Sequence, residues 1–248
     1  MALKPLKWYK QLTTKKGRLA AGAFLVEGHR AITQIVQQQP EAILEILTVA
    51  APPPAYRPYR VRYVTESQLH ALCTTQTPQG LLAVVRLPAA LYTDALPPAL
   101  GPKVVLLEDV QDPGNVGTLI RTAAAFDFSG VILTEKCADP LAPKCVQSTA
   151  GTVLAVWIRR TPHYLMLATT LKASGYACMA ADVHGTDNPI RLGSQPRLLL
   201  MLGNEAAGLS PALLDLAQAR LKIPLSHNAE SLNVAACGAI CMYLSARP

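Results

Sequence analysis

From Lys103 onward the sequence alternates short apolar runs with helix-forming stretches, and this alternation leaves few folds open. KVVLLE, GVILT, VLAVWI, YACMAA, RLLLMLG and LKIPL read as strands. Between them helices are expected near 115–126, 162–174 and 211–219, with a last one over 231–244. Thr161-Pro162 and Ser210-Pro211 each set a capping residue before a proline at the first helical position, and Gly175 stands where a helix should stop. Apolar strands joined through helices predict an α/β fold, a mostly parallel sheet with helices on both faces. Ligands of such sheets bind beyond the carboxyl ends of the strands. The loops after VVLLE, VILT, LLLMLG and LKIPL are therefore the places to look.

Residues 88–102 carry Pro88, Pro97, Pro98 and Pro102 without a clear period and read as a linker. Before it, residues 1–87 form a smaller α/β unit. Glu27 to Gln39 reads as a helix, ILEILTV, VRYV and LLAVV as strands, and Thr65 caps a short helix over SQLHALC. The domains expected are thus 1–87, a linker over 88–102, and 103–248. Half of the 248 residues are apolar, enough to bury the core of one large or two modest domains. No apolar run reaches the roughly 18 residues of a membrane span, and the start lacks the apolar segment of a secretory signal. The first residues are basic and acid-free, as in a mitochondrial presequence, but read as part of the folded protein. The six cysteines form no CxxC pair and have no matching histidine spacing, so no metal site is expected. Cys237 and Cys241, one helical turn apart, read as core thiols in a reducing cytoplasm.

Charge is unevenly spread. Residues 1–100 hold 11 Lys/Arg against 5 Asp/Glu, whereas residues 101–248 hold 12 against 11. The first 18 residues contain Lys4, Lys7, Lys10, Lys15, Lys16 and Arg18 with no acid, interleaved with Trp8 and Tyr9. Such a run is either a solvated face or the footprint of a polyanion, and nucleic acid is the simplest polyanion.

Three loops carry the polar residues that the fold alone does not explain. In EDVQDPGNVGTLIRTAAAF, Asn115 stands at the turn into a helix and is a plausible N-cap. Arg121 is a solitary guanidinium on an otherwise apolar helix, and must either reach the surface or meet an anion. In LGNEAAGLS, Gly203 after an apolar strand permits close approach of backbone or ligand, Glu205 follows, and Gly208 permits a second bend. In IPLSHNAESLNVAACGAI, Ser231 can cap the last helix, while Asn233 sits too far inside it to be explained as a cap. His227 in the same loop reads as a surface histidine. Ala235, Ala236 and Ala239 give that helix a small-residue face for close packing. Neither GxGxxG nor GxxxxGK[ST] occurs, so the phosphate fingerprints of a doubly wound oxidoreductase or a P-loop protein are missing.

Taken together, NVGTLIR, LGNEAAGLS and IPLSHNAESLNVAACGAI resemble the three motifs of the SpoU (TrmH) family of RNA ribose 2′-O-methyltransferases, in the SPOUT superfamily, in the same order and spacing. KKGR, FLVEGHRAI and TPQGLLAV resemble that family's N-terminal substrate-binding domain, which is like ribosomal protein L30e. The resemblance implies S-adenosyl-L-methionine as methyl donor, a homodimer and a C-terminal trefoil knot, which general topology rules would not predict. Many members have a glycine after the second motif's glutamate, where this chain has Ala206-Ala207.

By the same resemblance Arg121 holds the target phosphate and favours the developing alkoxide, and Asn115, Glu205, Ser231 and Asn233 orient it and the ribose. Leu202, Gly203, Ile223, Leu225 and Leu232, with Thr134 nearby, would hold the donor's adenine. Lys10, Lys15, Lys16, Arg18 and Arg30 are the RNA contacts expected of the first domain. An L30e-like domain recognises bends and loops of structured RNA, which points to ribosomal RNA over transfer RNA. An RNA-binding protein with an inactive transferase domain is the alternative.

Overall fold

The computed structural model describes residues 4–75, 77–226 and 230–246. In chain order its elements are α1 (Leu6–Gln11), α2 (Lys15–Ala21), β1 (Ala23–Glu27), α3 (His29–Gln38), β2 (Ile43–Thr48), β3 (Val61–Tyr63), α4 (Glu66–His70), β4 (Leu81–Arg86) and β5 (Lys103–Leu107). There follow α5 (Pro113–Ala125), β6 (Gly130–Leu133), α6 (Pro143–Thr149), β7 (Trp157–Arg160), α7 (Tyr164–Ala173), β8 (Ala177–Ala181), β9 (Leu198–Leu202), α8 (Pro211–Leu216), β10 (Ala219–Leu221) and α9 (Val234–Ala246). They fall into two compact units, Met1–Pro88 with Asp139–Leu154, and Ala89–Ala138 with Ala155–Pro248. The segment with α6, which lies between β6 and β7 in the sequence, thus packs within the first unit.

The first unit is built on a sheet of order β1-β4-β2-β3, in which β4 pairs antiparallel with both neighbours and β3 runs parallel to β2. Thr65 caps α4 as expected: its Oγ1 accepts from the Gln68 amide at 3.2 Å, and Gln68 Oε1 accepts from the Thr65 amide at 3.0 Å. AFLVE, of which the sequence reading placed only Glu27, at the start of a helix, forms β1, buried from Ala23 to Val26, and the helix begins at His29. A continuous apolar run does not by its period distinguish a strand from the start of a helix.

Two residues of the basic N-terminal run turn inward. Tyr9 is fully buried and donates to Glu45 Oε2 at 2.6 Å, while Arg60 pairs with the other oxygen at 3.3 Å. Arg18 is 2 % exposed; its guanidinium donates to the carbonyls of Leu12 and Thr13 and pairs with Asp139 at 3.2 Å. Arg18 is therefore a structural cation of the core and not an RNA contact, because its charge is already neutralised out of reach of solvent. Lys10, Lys15, Lys16 and Arg30 are exposed.

The second unit carries a six-stranded sheet of order β10-β8-β9-β5-β6-β7, parallel throughout. The chain leaves β5 towards β6 and leaves β9 towards β10, so the connections after these two neighbours diverge. That is the switch point at which an α/β sheet opens a crevice. Leu91, from the proline-rich segment, is buried against this unit, and its carbonyl accepts from the Arg160 amide at 2.8 Å.

Several boundaries differ from expectation. VLAVWI splits into a 3-10 turn at Thr152–Leu154 and a strand from Trp157. LKIPL is strand only at Leu221, and Pro224, which has no amide to donate, lies in the loop that follows. Thr161 accepts from the His163 amide at 2.9 Å, so α7 starts two residues later than its Thr-Pro signal. The small residues of α9 also face differently, since Ala235 is buried while Ala236, Ile240 and Tyr243 are exposed.

Helix α9 packs on α5 and on the 3-10 turn Pro189–Ser194. The approach is tight at Gly238, where an added Cβ would lie 2.3 Å from Leu119 and 2.8 Å from Leu202. Gly238→Val should cost ~1–3 kcal/mol by overpacking. That outweighs the ~0.5–1 kcal/mol that replacing a mid-helix glycine would otherwise gain. The expected result is a lower denaturant midpoint for the unit carrying α9; an unchanged midpoint would show that the helices have room to spare.

Candidate active site

The loop after β5 is ordered by a helix cap, though not the one expected. Asp112 is the N-cap of α5: its Oδ1 accepts from the Asn115 amide at 2.8 Å, and Pro113 occupies the first helical position. Asn115 is consequently in the first turn with its side chain released. Its Nδ2 donates to Glu205 Oε1 at 2.8 Å, and its Oδ1 accepts from Asn233 Nδ2 at 3.1 Å. Three residues from three distant loops thus form one hydrogen-bonded row at the switch point.

Asn233 also caps α9, against expectation. Its Oδ1 accepts from the amides of Ala235 at 2.9 Å and Ala236 at 3.3 Å, and the helix begins at Val234. Ser231 stands before the helix, exposed. His227 lies outside the described residues.

The loop after β9 closes on itself between Asn204 and Gly208, each donating its amide to the other's carbonyl at 3.1 and 2.9 Å. An added Cβ at Gly203 would stand 2.3 Å from the Gly208 carbonyl carbon, so the glycine is required there by space. Asn204, which the sequence reading passed over, organises the loop. Its Oδ1 accepts from the amides of Ala206 and Ala207 at 2.9 and 3.0 Å, and its Nδ2 donates to the Asp109 carbonyl at 2.9 Å. Only the backbone amides of Ala206-Ala207 are used, so the turn makes no demand on their side chains. Below the loop Glu108 is buried, accepting from the Ser210 amide at 2.6 Å and from the Tyr164 hydroxyl at 2.9 Å. Burial and the Glu108 carboxylate push the Tyr164 phenol up to about 12, so it remains a donor at neutral pH.

Arg121 lies on α5 six residues beyond Asn115, about 9 Å further along the axis. It is exposed and has no hydrogen bond or ion pair among the described residues. The row of Asn115, Glu205 and Asn233 does not include it.

A cavity of about 300 Å³ opens beside the ends of β8 and β10 and the start of α9. Ile223, Leu225 and Leu232 line it, together with Asp182, Leu221 and Glu230. Thr134, Leu202 and Gly203 do not. Thr134 is buried; its hydroxyl donates to Asp109 Oδ1 at 2.6 Å and accepts from the Asp109 amide at 2.9 Å, holding that residue at φ +56°. Leu202 is sheet core, 1 % exposed. Asp182 was missed although it directly follows β8, where the rule for strand ends applies as much as after the other strands. Apolar side chains and two carboxylates thus share this cavity. Among the described residues no cluster of His, Cys, Asp or Glu could hold a metal ion, and no helix is long and apolar enough to cross a membrane.

Comparison with known proteins gives this geometry a family. Residues 102–243 match the SpoU rRNA Methylase family, and residues 4–83 match the MRM3-like substrate binding domain. The chain is 32% identical over 243 residues to the 23S rRNA (guanosine(2553)-2′-O)-methyltransferase RlmP of Bacillus subtilis, covering 96% of this chain and 94% of that protein. It is 29% identical to a 23S rRNA (uridine(2479)-2′-O)-methyltransferase of Streptomyces viridochromogenes, over 97% of this chain and 88% of that one. Among solved structures, the SpoU methyltransferase AviRb of Streptomyces viridochromogenes in complex with its cofactor AdoMet superposes with a TM-score of 0.84 at 26% identity, over 99% of this chain and 97% of that chain. With its parallel sheet and the loops at the switch point, the chain belongs to the SpoU rRNA methylase family.

Proposed function

We propose that this protein methylates a ribose 2′-hydroxyl of ribosomal RNA with S-adenosylmethionine as donor. The observation that carries the reading is the row Asn233–Asn115–Glu205, which unites three loops at the carboxyl edge of the sheet, in a unit whose family transfers methyl groups to RNA. The donor supplies an electrophilic methyl group, so the protein has mainly to position groups and stabilise charge. The cavity beside β8 and β10 suits the donor. Ile223, Leu225 and Leu232 would cover the adenine, and Asp182 and Glu230 would meet hydroxyl or ammonium groups.

Arg121 would bind the phosphate of the target nucleotide and favour the oxyanion that forms as the hydroxyl loses its proton. A guanidinium has five donors and no acceptor, so it suits an electrostatic role better than that of a base. Glu205, held at Oε1 by Asn115, keeps Oε2 to accept a hydrogen bond from a ribose hydroxyl. Asn115 and Asn233 would fix that carboxylate, and Ser231 would lie within reach of the same ribose.

A second copy of the chain completes the proposed assembly. Ala236, Ile240 and Tyr243 recur at helical spacing on the exposed side of α9, forming an apolar stripe suited to a partner helix. A trefoil knot formed by the chain leading to α9 accords with the packing of that helix on α5 and the Pro189–Ser194 turn. Six free thiols suit a reducing cytoplasm.

Three measurements test this. Arg121→Lys should keep donor affinity by calorimetry and lose more than about tenfold in single-turnover methyl transfer, since the charge remains but the bidentate fork does not. Wild-type transfer by that variant would reduce Arg121 to a solvated side chain. Changing Lys10, Lys15 and Lys16 to Gln should weaken RNA binding and flatten its salt dependence without touching donor binding; an unaltered salt slope would remove these lysines from the interface. Ile240→Lys should yield monomers in sedimentation and abolish transfer, whereas a fully active wild-type monomer at micromolar concentration would exclude the dimer.

A further inference from the structure

The first unit contains a hollow of about 310 Å³, of whose lining only Arg30 has so far been given a part, as an expected RNA contact. Its wall is formed by the turn between β1 and α3, by the stretch leading into β4, and by α6 of the segment Asp139–Leu154, all within that unit. The size is at the low end of small-ligand sites, which run from roughly 300 to 1,000 Å³.

Its polar groups divide into those already engaged and those left over. Both oxygens of Glu27 are taken: Oε2 accepts from the Thr74 amide at 3.1 Å, and Oε1 from the Thr75 hydroxyl. The carboxylate thus pins the loop before β4 and keeps its negative charge in the wall of the hollow, which leaves Arg30 as the group that can meet a phosphate. Gln79 Oε1 accepts from the His29 amide at 3.2 Å at the start of α3, while its Nε2 has no partner among the described residues. The side chains of Arg30, Thr77 and Gln147, all exposed, likewise have no hydrogen bond or ion pair among the described residues. One concave site therefore offers a guanidinium, a hydroxyl, an amide donor and a complete amide with donor and acceptor. The small residues Gly28, Ala31 and Ala150 leave its floor open.

We propose that this hollow is a nucleotide subsite that takes one unstacked nucleotide of the RNA substrate. The Gln147 amide and the Gln79 Nε2 would hydrogen-bond the base edge, and Arg30 would meet the adjoining phosphate. An amide matches a base edge because it presents donor and acceptor side by side, while a guanidinium matches phosphate. A paired base does not fit, since its edge lies within a helix too broad for the hollow; bases of loops and bulges are splayed out and accessible. The subsite rests on the RNA-methyltransferase reading and adds to it a contact selective for single-stranded nucleotides, distinct from the salt-sensitive lysines. Gln147 belongs to α6, an excursion of the chain between two strands of the other unit, so the segment that folds into the first unit also supplies the base-reading group.

The test uses the full chain with two RNAs, unmodified large-subunit ribosomal RNA transcribed in vitro and a perfectly paired RNA duplex. Gln147→Ala and the charge-neutral Gln147→Leu remove the amide on an exposed helix position, and Thr77→Val changes the opposite wall. Each should weaken ribosomal RNA binding by about tenfold. Duplex binding, the salt slope and calorimetric affinity for S-adenosylmethionine should stay as in the wild type. The subsite is overturned if the Gln147 variants bind ribosomal RNA within about twofold of wild type, or if duplex affinity falls in parallel. A wild-type chain that binds the donor and methylates RNA while those variants behave normally would overturn the subsite alone. A wild-type chain that binds neither donor nor RNA would overturn the functional reading and the subsite together.

Discussion

The missing side chain at Gly238 is the constraint on which the site depends. Helix α9 settles at Gly238 onto the end methyl groups of Leu119 of α5 and Leu202 of β9, which a Cβ there would have to displace. That contact fixes the height of the helix start, five residues and about 7.5 Å earlier along the axis. Asn233 is there, and its amide meets Asn115 at 3.1 Å. A helix held away by the width of a side chain would break this bond, since hydrogen bonds fail beyond about 3.5 Å. Core packing and active-site geometry are therefore one problem in this unit.

Two glutamates near the switch point show how burial divides labour. Glu108 is enclosed and spends both oxygens on the fold, one on the Ser210 amide and one on Tyr164. Glu205 is exposed and commits one oxygen, to Asn115. A buried carboxylate without partners would be costly, whereas an exposed one can wait for a ligand. Asn204 mediates between them by turning the loop so that Glu205 projects while Leu209 returns to the core.

Much of this was legible in the sequence. The alternation after Lys103 predicted a parallel sheet, Thr65 was legible as the cap of a short helix, and the three loops held Asn115, Glu205 and Asn233, which meet at the sheet's edge, although Arg121 and Ser231 from the same loops do not join them. What could not be read was decided by partners far away in the chain. Nothing near Arg18 announces that Asp139 will neutralise it, and nothing near Tyr9 announces Glu45, so a run of basic residues looked like one continuous surface. Capping was misplaced at Asn115 and Asn233 for a related reason. Several residue types can cap, and only the geometry selects Asp112 over Asn115 and Asn233 over Ser231. The short α6 has seven residues and no apolar period long enough to register; what holds it is the first unit, not its own sequence.

The same geometry explains why the proposed catalytic cation can be separate from the fold. Asn115, Glu205 and Asn233 are locked by hydrogen bonds that the chain makes on its own, so their positions cost nothing further when substrate arrives. Arg121 makes no such bonds among the described residues, and the buried side of its helix is filled by Val116, Leu119, Ile120 and Ala123. Its guanidinium remains hydrated until an anion displaces the water, so the fold gains nothing from it and loses nothing with it. A preorganised row beside an uncommitted cation is the arrangement expected where the substrate's own phosphate is the missing partner, because a cation already paired within the protein would have to be released before it could bind RNA.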